Sequence, residues 1–349
     1  MEKGRRPSRS VTGFGLRTSD FGGAPLVLAR SLHILVAGAL VACGSSDPAP
    51  SAPRIGNVLA AVLAAADHTR TPWRCAALDT PALADAPLTT GDRHWQLGGH
   101  MLRRTDNDDT VAIAVIADAA DASPVTIAAL ARLRAELEKA SPDLVLTLGG
   151  MGSTQAELEA TLGTLGDHAP WPVVALPGDL EPMSAHVAAL TNLRKRAINV
   201  LDGRLVRWIE QPGITIGTLP GAGARERLVA SDDGCQWRAE DVAKLYTELT
   251  EKPGIRVAAT SEAPRTTSDG EPAGELGLVP PQPIELALSA PVAPAASPPR
   301  TGSRDGARIV LSPGTADGVR RLPDPHTPNA GLLVVRAGTW TWRPLAAAK

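Results

Sequence analysis

Aromatic side chains are scarce in this sequence. Tryptophan, tyrosine and phenylalanine together make up 3% of 349 residues, against 43% for all hydrophobic types. A sizeable core is therefore possible, but alanine, valine and leucine must fill it. Positive charge is not in excess either, the formal net charge being -2. Without residues 1–42 the chain carries 29 basic and 35 acidic residues. No basic patch interleaved with aromatics remains, which argues against a nucleic-acid partner. Cysteine is nearly absent, with three residues at 43, 75 and 235.

The start of the chain differs from the rest. Lys3, Arg5, Arg6, Arg9, Arg17 and Arg30 precede the apolar run LHILVAGALVA at residues 32–42. Its 11 residues fall short of the ~20 that a spanning helix needs. A charged region, a short apolar region and small residues before a break have the form of a secretory signal. The break at Leu40-Val41-Ala42-Cys43 resembles a bacterial lipobox, and the polar stretch GSSDP follows it directly. The resemblance implies cleavage before Cys43 and lipid attachment to it, hence a protein anchored to a bacterial membrane in the cell envelope, facing the periplasm or the cell surface. The alternative is an ordinary signal peptide followed by a chance cysteine. Gly44 stands where an inner-membrane retention signal would place Asp. Outside the cytoplasm, Cys75 and Cys235 are expected to pair as a disulfide, the alternative being two buried thiols.

Three segments are expected: a signal peptide at 1–42, a tether and N-terminal segment at 43–92, and a domain at 93–349. WQLGGHMLRR reads as one strand, and VAIAVIAD (111–118) as a strand buried on both faces. Ser123-Pro124 caps a helix whose stripe is Ile127, Leu130, Leu133 and Leu137. PDLVLTLGG is the next buried strand, and Thr154 with Glu157 has capping-box spacing. PVVALPGD is a third strand, followed by a helix with Ser184 as its expected cap. GITIGTLPG, GIRVAAT and ARIVLS add strands, and GLLVVRAGTWTWRPL reads as a hairpin with Trp340 and Trp342 on one face. Strand–helix alternation of this kind predicts an α/β layered fold. A Pro- and Ala-rich insertion covers about 264–306, and IELALS within it is a candidate strand.

VAIAVIADAAD, PDLVLTLGGMGS, PVVALPGDLE, GIRVAATSEAP and ARIVLSPGTADG come in an order and spacing that resemble the five blocks of the calcineurin-like metallophosphoesterases. The resemblance implies a two-sheet α/β sandwich with flanking helices, in which each block ends a strand at one edge. The family's blocks supply D-x-H, G-D, G-N-H-[D/E], a lone His and G-H-x-H to two divalent metal ions. A metal pair of this kind activates water and clamps the attacking and leaving oxygens. Here Asp118 stands in the first block with Ala120 in place of His. Gly150 replaces the bridging Asp. Asp179 and Leu180 replace Asn and His, and Glu181 keeps the last acid. Ser261 or Glu262 stands where the lone His belongs, and Gly314 and Ala316 occupy the last two His positions. The seven histidines, at 33, 68, 94, 100, 168, 186 and 326, all miss the motif positions.

The resemblance with these replacements implies a fold whose binuclear site is dismantled, with no cofactor expected and no catalytic residues. The expected role is binding or scaffolding of an envelope protein or ligand. A rearranged carboxylate site is the alternative, in which Asp118, Asp121, Asp179, Glu181 and Glu262 converge on magnesium or calcium for weak phosphoester hydrolysis. The remaining alternative is an unrelated α/β ligand-binding lipoprotein. GGMGSTQAE offers backbone amides at a helix start to an anion, but without a P-loop lysine. Neither Ser153 nor Ser261 sits in a G-x-S-x-G elbow.

Overall fold

The computed structural model describes residues 73–75, 82–106, 108–230, 232–264, 276–290, 301–304, 308–311 and 329–345. Cys43, the signal and the tether lie outside them, as do Gly314, Ala316 and the IGNVLAAVLAAADH helix expected near the start. None of the helices among the described residues is long and apolar enough to cross a membrane.

The fold is a two-sheet α/β sandwich with flanking helices. One sheet has six strands: β4 (Thr110–Ala117), β5 (Leu144–Thr147), β6 (Val173–Ala175), β7 (Val200–Asp202), β14 (Asn329–Arg336) and β15 (Thr339–Pro344), in the order β15-β14-β4-β5-β6-β7. β4 to β7 are parallel, so their C-terminal ends share one edge. The other sheet has nine strands, β1 (Leu83–Thr90), β2 (Arg93–Gly99), β3 (Met101–Arg104), β8 (Trp208–Gln211), β9 (Ile214–Leu219), β10 (Ile255–Thr260), β11 (Leu286–Ser289), β12 (Thr301–Arg304) and β13 (Arg308–Leu311). Their order is β1-β2-β3-β8-β9-β10-β11-β13-β12. Strands β9, β10, β11 and β13 are mutually parallel.

The continuous apolar character of β4 now has its cause. Val111, Ile113 and Val115 face the space between the sheets, where they meet Ile209, Ile216, Val257 and Leu288. Ala114 and Ile116 face the other way, onto α1 (Pro124–Ala140), α2 (Gln155–Gly166) and α3 (Met183–Lys195). The helices contribute Leu130, Leu133, Leu158, Leu162, Leu190 and Leu193, all buried. On the outer face of the larger sheet, α4 (Ala239–Thr250) packs through Val242, Leu245 and Leu249. Each such leucine, fully withdrawn from water, contributes about 2 kcal/mol, so aliphatic residues suffice where aromatics are few.

Several local expectations change. WQLGGHMLRR is two antiparallel strands, β2 and β3, because Gly99 at φ +59° turns the chain back. The boundary expected at residue 93 falls inside the β1–β2 hairpin, whose β1 pairs along Leu83–Thr90. The helix after the third block has Pro182 as its N-cap rather than Ser184. Its first free amide hydrogens go to Asp233, with Met183 N donating to the Asp233 carbonyl at 2.6 Å and Ser184 N to its carboxylate at 3.2 Å. IELALS supplies β11, an interior strand between β10 and β13, so the Pro/Ala-rich region contains part of the sheet. Trp340 and Trp342 pack on the inter-sheet core, and Gly331 leaves room for the Trp342 ring, which a Cβ would meet at 2.1 Å.

Candidate functional site

The strand ends of both sheets meet at one edge, and the first four blocks lie there. Asp118 follows β4 and is buried. Its backbone amide donates to the Gly149 carbonyl at 3.0 Å, and that of Ala120 to Gly150 at 2.7 Å. Both residues hold positive φ, +64° and +68°, a conformation that costs a residue with a Cβ and persists only where neighbours fix it. The first and second blocks are therefore joined backbone to backbone.

Gly150 has φ +70°, and a Cβ there would lie 2.8 Å from Asp118 Cα and 3.1 Å from Asp118 Oδ1. One step earlier, a Cβ on Gly149 would lie 2.6 Å from Gly178 Cα of the third block. The space that a bridging aspartate would need is occupied by the main chain of neighbouring blocks.

The acids that the alternative reading would bring together have other partners. Glu181 is fully buried and accepts from Met151 N at 2.7 Å and Gly178 N at 2.8 Å, tying the second block to the third. Burial pushes its carboxyl above the ordinary range, and the two backbone donors and nearby His186 pull it only partway back. Asp121 accepts from Ser123 N at 2.9 Å and from Thr126 Oγ1 at 2.6 Å, steadying the first turn of α1. Glu262 accepts from Gly223 N at 2.9 Å and pairs with Arg227 at 2.7 Å. Asp179 is half-exposed, 4.0 Å from the same Arg227. Ser261 donates its hydroxyl to the Pro177 carbonyl at 2.9 Å, which joins the two sheets. Leu180 is half-buried and carries no metal-binding atom.

A second layer secures this closure. The segment after β9 bonds back across the third block, Gly221 N to the Pro177 carbonyl at 2.8 Å and Val229 N to that of Asp179 at 2.9 Å. Cys75 and Cys235 form a disulfide with Cα atoms 5.4 Å apart, beside the Met183 side chain. Beneath it, His186 is buried with its Nε2 3.6 Å from Asp202 Oδ1. Burial works against charge on Asp202, yet the His186 ring and the Arg204 guanidinium outweigh it and hold the carboxyl far below the usual range.

Arg227, His186 and Asp202 escape sequence reading because they come from outside the blocks and only folding brings them alongside. The loop at Ser153 is occupied as well, since its amide and hydroxyl both donate to Glu157 Oε2, at 2.8 and 2.9 Å. Thr154 and Glu157 form the expected capping box of α2. Among the described residues, no group of three or more His, Cys, Asp or Glu side chains is placed to hold a metal ion. The first four blocks do not fit a metal pair, because the bridging position is filled by backbone and the buried acids serve as braces and caps.

No family model matches the chain. No curated protein matches it either. Among solved structures, the chain is similar to TT1561 of Thermus thermophilus, with 14% identity over 68% of this chain and 99% of that one and a TM-score of 0.46. It is also similar to a dimetal phosphatase from Danio rerio, with 9% identity over 69% of this chain and 100% of that one, at a TM-score of 0.42. A purple acid phosphatase from yellow lupin seeds shares 9% identity over 72% of this chain and 56% of that one, at 0.41.

Proposed function

We propose that this chain is a lipid-anchored protein of the bacterial cell envelope, whose metallophosphoesterase-like domain binds or scaffolds and does not hydrolyse phosphoesters. The single observation that carries the loss of catalysis is the closed contact at Gly150, where the Asp118 main chain fills the place of a bridging carboxylate. Two further observations support it. Glu181 and Glu262 are committed to backbone amides, and no imidazole stands at any of the five block positions. The lipid anchor rests on the sequence around Cys43, and a polar tether after it would hold the domain clear of the membrane. Two cysteines paired outside the reducing cytoplasm fit the same location.

The test is metal content together with activity. The full chain, equilibrated with manganese, magnesium and calcium and then desalted, is expected to retain substoichiometric metal and to leave p-nitrophenyl phosphate and its bis ester intact. About two metal ions per chain, with hydrolysis that Asp118→Ala and Asp179→Ala abolish, would overturn the proposal. In a bacterial host, palmitate label is expected on the wild-type chain and not on Cys43→Ser, which should also leave the membrane fraction. Labelling that persists in Cys43→Ser would place the anchor elsewhere.

A further inference from the structure

We draw no further inference here: the strongest candidate, the exposed apolar surface of Trp73 and Val229 along the segment after β9, carries nothing because nothing in the structure shows what covers it.

Discussion

At the scale of single residues, Gly150 decides more than any substituted ligand. A missing metal ligand is normally repaired by restoring the side chain. Here Gly150→Asp would press a Cβ to 2.8 Å from Asp118 Cα at a φ of +70°. It is expected to destabilise the fold by about 2 kcal/mol or more, seen by chemical denaturation, without raising the metal content. A stable Gly150→Asp chain that gains metal would show instead that the closed contact yields easily. Asp202 offers a pH-dependent test. A carboxyl whose folded value is depressed contributes stability that is present above its unfolded value, ~3.9, and lost as pH falls through the folded value. Asp202→Asn is therefore expected to cost about 3 kcal/mol near neutrality, with the gap to wild type narrowing below pH ~4. Urea denaturation at a series of pH values measures it, and a gap constant from neutral pH down to about pH 3 would contradict the role of Arg204 and His186.

At the scale of elements, the segment after β9 behaves as a strap across the third block, and the disulfide holds its far end. Cys75 and Cys235 are 160 residues apart in sequence, so the bond closes a long loop. A cross-link of that span contributes about 3–5 kcal/mol, chiefly by restricting the unfolded chain. Cys75→Ala with Cys235→Ala is expected to lose that stability. It should also expose the strap, and trypsin should cut after Arg225 or Arg227 faster than in the wild type. Mass spectrometry of timed digests locates the cuts, and unchanged rates would show that Arg227–Glu262 and the bonds to Pro177 and Asp179 hold the strap unaided. The blocks themselves were legible as elements because each contains a short apolar run, which glycine follows in the second, third and fifth. β11 was harder to place, since its four residues sit in a proline-rich context that reads as loop, and only its pairing with β10 and β13 makes it an interior strand.

At the scale of the whole molecule, the two sheets share one core. Ile113, Leu146 and Val174 from the smaller sheet meet Ile216, Val257 and Leu288 from the larger. Neither sheet can lose the other without exposing that face, so a single cooperative transition is expected. Tryptophan fluorescence, with Trp95 between the sheets and Trp171 on the helix side, should coincide with far-UV circular dichroism through urea unfolding. Separate midpoints would show that the sheets unfold independently.

The sequence by itself determined the α/β layering, the strand-end position of the first four blocks and the absence of histidine from the block positions, because each is written in local pattern: apolar periodicity, turn residues and residue identity. It also carries the lipobox-like stretch at Cys43. The tertiary structure alone decided what the surviving acids do. Glu181 and Glu262 look like remnants of a site when read along the chain, yet they are bonded to amides of Met151, Gly178 and Gly223. Burial of backbone donors at a closed edge must be matched by acceptors, and that requirement arises only after distant strand ends meet.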